Sequence, residues 1–569
     1  MIPEAVKGQI RKYALKNAMD YGSARPGNVL AKVAKLVPKE SMKELESEVR
    51  TIVDEVNSLP REGLESEYSA YSVEFERQQE SKAAATSKPR MELAGATKGS
   101  FATRFAPEPS GYIHIGHASA AFLAREFAGI YEGKAFLYFD DTNPEKESQE
   151  FVDSIKKDLE WLGIAFDREY YASDNMAMIY DCARKLLKEG NAYACECTGE
   201  DTKRNRFDGR ECRHRSNSPE TNLEKFQMML EGKYEEEKIA IRLKGDMGSE
   251  NTTLRDPTML RLKRHSHYRQ GSKYIVWPTY DFNTPINDSV NGVTDAIRTR
   301  EYELRGALYD MVLDYLGMRK PRVHLHARLS IKGQPKQKRE IRKLISEKLL
   351  SGYDDPRLVT IAALRRRGIM PEAIRKFVLG FGMSIVESST DISKLLAYNK
   401  SIIDPISKRL YYVESPERLT VSMEPMEVRL RMHPSKDFGT RMYDVDGKLF
   451  ISGPDARSMG SGEVIGLKGL FNVAVSPENG SVYGTKTKEE SERNIQWVTE
   501  KGSMRCKILI PGDVVDSEGK FLEGSMTESE GLIESYASAL KDGEIVQLER
   551  FGFCIMDNKY DMRLIFISR

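Results

Sequence analysis

The sequence predicts a multidomain α/β protein: a helical N-terminal segment, a parallel α/β core broken by a polar insert, and C-terminal antiparallel β-barrels. Three observations carry this. Apolar residues near the start recur at i, i+3, i+4 spacing; from residue 99 short apolar runs alternate with helical stretches; after about residue 400 the helical period gives way to short β-branched and aromatic runs between turn residues. A chain of 569 residues has room for several domains at roughly 100–200 residues each. Hydrophobic residues at 40% and charged residues at 30% exclude a collagen-like or wholly disordered chain. Lys+Arg at 87 against Asp+Glu at 86 leaves no global basic excess, so any polyanion must be held by local patches. No apolar run approaches the ~18 residues of a membrane span, and the first residues lack the apolar stretch of a secretory signal. Six cysteines make no disulfide framework, and the expected compartment is the reducing cytoplasm.

Taken in order, residues 1–80 read as charged helices on which Ile10, Tyr13, Ala14, Ala18, Val29, Val33, Leu36 and Val37 keep helical spacing. Residues 81–98 lack that period and read as a linker. In residues 99–194, Phe101–Phe105 and Ala135–Phe139 read as strands, and Ala118–Ala128 and Glu150–Leu162 as helices, the alternation of βαβ units and a parallel sheet. Residues 195–273 form a polar insert with three of the eight histidines and three of the six cysteines. The α/β pattern resumes at Tyr274–Tyr280 and fills 274–330; residues 331–400 are basic, then helical. Residues 401–569 hold runs such as RLYYV, KLFISG, RCKILI and MRLIFI with turns at Asp446-Gly447, Asn479-Gly480 and Pro511-Gly512, enough for two small antiparallel barrels.

The strongest local signal is Thr103-Arg-Phe-Ala-Pro-Glu108-Pro109-Ser110-Gly111-Tyr-Ile-His114-Ile-Gly116-His117. It follows a strand and opens a helix, where an open α/β sheet binds ligands at its carboxyl edge and the helix N-terminus offers free N–H groups to phosphate. Two imidazoles there can donate to a developing oxyanion. The four letters HIGH alone fit a helix-capping loop equally well; the flanking Pro-Glu-Pro-Ser-Gly-Tyr does not. Downstream, Arg328-Leu329 leads into Lys332-Gly-Gln-Pro-Lys-Gln-Lys338-Arg339, a basic loop marked by Gly333 and Pro335, in which a lysine can neutralise a leaving polyphosphate.

With these residues the chain resembles the class I aminoacyl-tRNA synthetases of the glutamyl/glutaminyl branch, over about residues 99–569, and its Pro107-Glu108-Pro109-Ser110-Gly111 is similar to the form in archaeal glutamyl and in glutaminyl enzymes. The N-terminal IRKYALKNAMDYG is similar to the extension on archaeal members. The resemblance implies a Rossmann-like catalytic domain, an inserted acceptor-end-binding domain, a helical stem-contact domain and barrels that read the anticodon. It implies that Glu108, Pro109, Ser110, His114, Gly116, His117, Arg328, Leu329 and Lys338 surround ATP and its Mg2+, with His114, His117 and Lys338 catalytic. The lysine loop departs from the family's pattern at Gln337 and Lys336, where serine and an apolar residue are usual.

Phe139-Asp140-Asp141-Thr142-Asn143-Pro144 closes a strand with two adjacent acids. Such a pair holds an ammonium group or, equally, caps the next helix through an Asx turn. The resemblance implies that Asp140 meets the substrate's α-ammonium, that Tyr280 in the strand motif Trp277-Pro-Thr-Tyr280-Asp-Phe282 lines the pocket, and that Arg104 and Arg298 reach the side chain. Tyr138 stands where arginine is usual. At position 298 glutaminyl enzymes carry a small uncharged residue and glutamyl enzymes arginine, so the pocket is expected to select glutamate. Glutamine would leave a buried charge unmatched, at a cost on the order of 2–5 kcal/mol. Arg300 is close enough that only the family position separates the two arginines.

Cys195-Glu-Cys197 and Cys212-Arg-His214 have the donor set of a tetrahedral Zn2+ site, or are reduced surface thiols; as a metal site they would brace an insert poor in apolar residues. Basic clusters at Lys203–Arg206, Arg261–His267, Arg319–Arg322, Lys332–Lys343 and Arg365–Arg367, with Tyr411, Tyr412, Phe450, Tyr483 and Trp497 in the barrels, suit a long RNA. The expected activity is ATP-dependent activation of glutamate and its transfer to the 2′-OH of the terminal adenosine of tRNA-Glu, with tRNA-Gln a further candidate acceptor and activation dependent on bound tRNA. Three alternatives stand at this point: a glutaminyl enzyme, a small-molecule nucleotidylyltransferase with a HIGH motif, and a non-catalytic tRNA-binding scaffold.

Overall fold

The structure, a computed structural model, describes residues 2–34, 42–60, 63–65, 67–68, 71, 91–386, 388–478, 481–491 and 493–569. It divides into two units, Met1–Lys88 and Pro89–Arg569. In the first, helices Glu4–Tyr21, Pro26–Val33 and Met42–Asn57 bury Ile10, Ala14, Ala18, Val29, Val33, Val49 and Val53 in one core. Gly22 ends the first helix at φ +80°, with its N–H on the Ala18 carbonyl, and Pro26 opens the second at its first turn. Leu36, Val37 and residues 81–90 of the expected linker lie outside the described residues. The linker's second half is not a linker: Leu93 is buried and its N–H donates to Tyr131 Oη at 2.9 Å, so packing begins before residue 98.

The second unit opens on three parallel strands, Ala102–Phe105, Lys134–Phe139 and Arg168–Tyr171, with Ala102–Phe105 at one edge. Two more parallel strands, Asp295–Thr299 and Arg322–His326, continue from that edge. The join is made by Thr294 N–H on the Ala102 carbonyl and Ala102 N–H on Thr294 Oγ1, both at 2.8 Å. The spatial order is therefore third, second, first, then the late pair, and the chain reverses direction of travel across the sheet beside Ala102–Phe105. Phe105, Ile115, Phe122, Leu137, Phe139, Ile155 and Leu159 form the core under this face.

The insert is a four-stranded antiparallel sheet of Ala192–Cys195, Ala240–Leu243, Thr258–Leu262 and Val276–Pro278. It starts before residue 195 and ends after 273. It also has a core: Ile241, Met259, Leu260, Val276 and Trp277 pack with Phe226, Met229 and helices Met176–Lys188 and Gly306–Leu316. The strands are only three to five residues long, and half of that core comes from helices flanking the insert, which is why its composition reads as polar. Tyr280 is not on a strand. The strand stops at Pro278 and Tyr280 is the first residue of helix Tyr280–Val290.

After Leu329–Ile331, which pairs with Ser388–Thr390, helices Lys338–Ser346, Ile361–Arg366, Pro371–Leu379 and Ser393–Ile403 follow. Beyond residue 407 two seven-stranded sheets form, each with two parallel pairings besides its antiparallel ones. Lys408–Leu410 and Tyr412–Glu414 occupy opposite edges of the sheet whose other strands come from residues 503–568. These edge strands are separated by Tyr411 alone, so the sheet must curl until its edges nearly meet. The C-terminal barrel is thus closed by residues that precede the other barrel in sequence. Among the described residues no helix is long and apolar enough to cross a membrane.

Arg441, on the hairpin Met426–Arg431/Thr440–Val445, is wholly buried and donates Nη1 to Glu534 Oε1 at 2.8 Å. Tyr411 N–H donates to the same oxygen at 2.7 Å, and the guanidinium lies 4.4 Å over the Tyr411 ring. Removing one member of such a pair leaves an uncompensated buried charge. Arg441→Ala is expected to cost about 3–5 kcal/mol of stability, read as a lower denaturant midpoint of the full chain.

Candidate functional site

A cavity of about 1310 Å³ opens where the sheet reverses, lined from the carboxyl ends of Ala102–Phe105, Lys134–Phe139 and Asp295–Thr299. Arg104, Glu108, His114, Gly116, His117, Asp140, Tyr280, Arg298, Arg328, Leu329 and Lys338, separated by up to 234 residues in sequence, all line it. Pro109 and Ser110 do not.

His114 caps helix Ile115–Ile130: its Nδ1 accepts from Gly116 N–H at 3.0 Å, while His117 Nδ1 accepts from His114 N–H at 3.2 Å. Because each Nδ1 is an acceptor, the ring proton of each imidazole sits on Nε2, free to donate. The two rings lie 4.0 Å apart. Burial first, then Lys338 and Arg328, pushes His114 down to about 4; burial, His114 and those cations hold His117 well below the usual imidazole range. Both are neutral donors at physiological pH. Gly116 is required for a steric reason, since a Cβ there would lie 2.8 Å from His114 Cε1.

Lys338, the first residue of helix Lys338–Ser346, reaches back to donate to Ser110 Oγ at 3.3 Å. Burial lowers its pKa, which Glu108 partly offsets. Gln337, which departs from the family's serine, caps this helix together with Glu340, and the Lys336 N–H donates to Glu340 Oε2 at 2.9 Å. The altered loop is therefore a formed one. Arg328 pairs with Glu301 at 2.5 Å and donates to the Lys336 carbonyl at 3.0 Å, tying the loop to the adjacent strand end.

The paired acids separate. Asp141 is fully buried and structural, accepting from Ser173 N–H and Oγ at 2.8 Å and from Tyr268 Oη at 3.0 Å. Asp140 faces the cavity and accepts from Asn283 Nδ2 at 2.7 Å. Burial, then Glu147, Glu108 and Asp141, raises its pKa well above the carboxylate range, so an incoming cation would strongly favour its charged form. Tyr138, which stands in place of an arginine, stacks on Tyr170 at 4.8 Å and accepts from the same Asn283 amide.

Arg298 is 6% exposed, stacks 4.1 Å over the Tyr309 ring and donates Nη2 to Asp288 Oδ2 at 3.3 Å; its Nε is buried without a partner. Arg300 is exposed and pairs with Glu303, which separates the two arginines that sequence position alone could not. Arg104, which also lines the cavity, is held from behind by Asp288. Its Nε and Nη2 grip both Asp288 oxygens at 2.7 and 3.2 Å and its Nη1 donates to the Ile297 carbonyl at 3.1 Å.

Asp288, Asn283 and Tyr309 escaped the sequence reading. The available signal was the i, i+4 spacing of Asn283 and Asn287 on one helix and Asn291 at its end; the Asn287 amide donates to Asn283 Oδ1, and the Asn283 amide to Asp140. At a second cluster the ligand atoms of Cys195, Cys197, Cys212 and His214 all lie within 4.8 Å of one another, with Cys195 and Cys212 sulfurs 3.8 Å apart. That is the edge of a tetrahedron with ~2.3 Å metal–sulfur bonds and too long for a disulfide.

Residues 100–404 match the family described as tRNA synthetases class I (E and Q), catalytic domain; residues 407–490 and 494–557 match its two anti-codon binding domain descriptions. Curated relatives named glutamate–tRNA ligase are 38% identical over 563 residues in Nitrosopumilus maritimus, 37% over 561 in Cenarchaeum symbiosum and 36% over 577 in Pyrococcus furiosus, each match covering 98% of both chains.

The depressed His114 pKa carries a stability consequence. A folded value near 4 against an ordinary 6.5 means the folded state binds fewer protons, so this contribution is complete above pH 6.5 and is lost as pH falls toward 4. Between pH 7 and 5 wild type is expected to lose about 1–2 kcal/mol more than His114→Asn, allowing for partial solvent access. Denaturant midpoints at the two pH values measure it; parallel losses would refute the neutral, buried imidazole.

Proposed function

The chain belongs to the class I tRNA synthetases for glutamate and glutamine, among the glutamate–tRNA ligases, and from that premise we propose how its residues divide the reaction. The observation that carries the reading is a buried guanidinium, Arg298, lining the same cavity as the two histidines and Lys338.

Glutamate enters with its α-ammonium on Asp140, its side-chain carboxylate on Arg298 and its stem against Tyr280. ATP arrives as its Mg2+ complex with the phosphates over the His114–His117 helix terminus. An α-carboxylate oxygen attacks the α-phosphorus, the bond to the β-phosphate oxygen breaks, and pyrophosphate leaves. The Nε2–H groups of His114 and His117 and the Lys338 ammonium stabilise the charge that develops on the phosphoryl oxygens. The 2′-OH of the terminal tRNA adenosine then attacks the glutamyl carbonyl, and AMP departs. No side chain becomes covalently modified; positioning and charge account for the rate. Arg206, Arg261 and Arg305, on the insert side and rim of the cavity, suit the phosphates of the tRNA 3′ end, and the two barrels suit the anticodon. Cys195, Cys197, Cys212 and His214 fit a structural Zn2+, which would cross-link the edge of the insert's sheet to the turn at residues 212–216. The three cysteines outside this cluster, Cys182, Cys506 and Cys554, are buried free thiols, which accords with a reducing, cytoplasmic setting.

Charging of tRNA-Glu and tRNA-Gln with each amino acid tests the assignment. Wild type is expected to attach glutamate; Arg298→Cys should lower kcat/KM for glutamate by about 10²–10³-fold, the equivalent of ~3–4 kcal/mol for an unmatched buried carboxylate. Lys338→Ala should lower kcat by about 10²-fold with KM for glutamate little changed. Preferential attachment of glutamine by wild type would overturn the pocket assignment.

Metal analysis of purified protein should find zinc at about one equivalent per chain, lost in Cys212→Ser with a lower thermal midpoint. Full stability of that variant without zinc would show the four ligands to be ordinary thiols and an imidazole.

A further inference from the structure

Two buried guanidinium groups side by side at the cavity wall repel each other, yet the pocket proposed above needs one positive charge for one carboxylate. Asp288 resolves the difference. It is fully buried, and its Oδ2 alone accepts from Arg104 Nη2 at 3.2 Å, Arg298 Nη2 at 3.3 Å and Tyr309 Oη at 3.1 Å, while Oδ1 takes Arg104 Nε at 2.7 Å. The grip on Arg104 is bidentate and that on Arg298 a single long bond, so the shared anion neutralises one arginine and only steadies the other. Arg298 keeps a buried Nε without a partner, and the Tyr309 ring below holds its plane.

We propose that Asp288 is the positioning residue that sets amino-acid specificity in this pocket: it ties up Arg104 and orients Arg298, so that one net positive charge, carried by Arg298, faces the substrate side chain. This rests on the assignment of Arg298 to the side-chain carboxylate. Asp288 touches neither substrate nor ATP in this scheme and acts through the two arginines. Without it, Arg104 is released toward the cavity, Arg298 loses its anchor, and the fit to a single carboxylate is lost.

Steady-state charging with the full-length enzyme, tRNA-Glu, ATP and glutamate tests this. Asp288→Asn is expected to raise KM for glutamate about tenfold or more, with KM for ATP within about twofold of wild type. Removing the neutralised cation together with its anion, in the double variant Arg104→Gln/Asp288→Asn, restores one net charge and should bring KM for glutamate back to within about threefold of wild type. A merely structural Asp288 would make the double variant worse than the single one. A KM for glutamate unchanged in Asp288→Asn, or a double variant no better than the single, overturns the inference. If Asp288→Asn does not fold, Tyr309→Phe removes one hydrogen bond from Oδ2 and keeps the ring; it should raise KM for glutamate about two- to fivefold at unchanged KM for ATP, and an unchanged value overturns the inference equally. Should Arg298→Cys leave glutamate charging intact, the pocket assignment itself falls; should Arg298→Cys abolish it while Asp288→Asn has no effect, only the inference about Asp288 falls.

Discussion

Hydrogen bonds between Ala102 and Thr294, with Arg104 on the Ile297 carbonyl, join the two halves of the parallel sheet, and the cavity opens at that seam. The strand Ala102–Phe105 pairs on one side with Lys134–Phe139 and would otherwise present an open edge of unpaired backbone groups. Thr294 covers its start with both backbone and side chain, which sets Asp295–Thr299 alongside. Arg104 and Arg298, from opposite sides of the seam, then point at one carboxylate. At the carboxyl end of the same strand the chain turns through Glu108–Gly111 into the histidine helix. A sheet whose neighbouring strands send their chains to opposite sides leaves a crevice there, and every residue assigned to chemistry lines it or leans over it.

The cavity is electrostatically divided. Asp140, Glu147 and Glu108 line one wall; burial first, then the neighbouring carboxyls, raises Asp140 and pushes Glu147 up to about 9, so an entering ammonium group would restore charge there. Arg298, Arg328 and Lys338 line other walls. An amino acid with a second carboxylate presents charges of both signs and matches both. The histidines between them are kept neutral by burial and nearby cations, so in the proposed reaction they would offer hydrogen bonds to phosphoryl oxygens without adding a positive charge to a site that already has the lysine. Asn283 links Asp140 to the helix that carries Tyr280 and Asp288, so the proposed ammonium and side-chain contacts are tied to one element.

Much of this was legible in the residues. The histidine turn, the lysine loop and the alternation of strands and helices stand within a few positions of where their patterns put them, because each is a local arrangement whose spacing is fixed by backbone geometry. Gln337 illustrates the limit: judged against the family's loop it is a departure, and only the helix that starts at Lys338 reveals it as a cap. The insert illustrates another. Its composition reads as coreless because its apolar residues sit on short strands that share a core with helices outside it. Trp277–Phe282 resembles the family's strand motif, yet the strand stops at Pro278, which cannot donate a ladder hydrogen bond, and a helix begins at Tyr280.

The sequence by itself determined which chemical groups are present and which stretches form turns, helices and strands, since those follow from side-chain type and near-neighbour spacing. It also determined that position 298 carries a guanidinium. Only the tertiary structure decided the charge that this guanidinium presents. That charge depends on Asp288 sitting between two arginines, one 184 residues away and the other ten, and no periodicity relates contacts made across a sheet seam. It likewise decided that Asp140 and Asp141, adjacent in the chain, face a cavity and a core respectively, because successive side chains at a strand's end point to opposite faces.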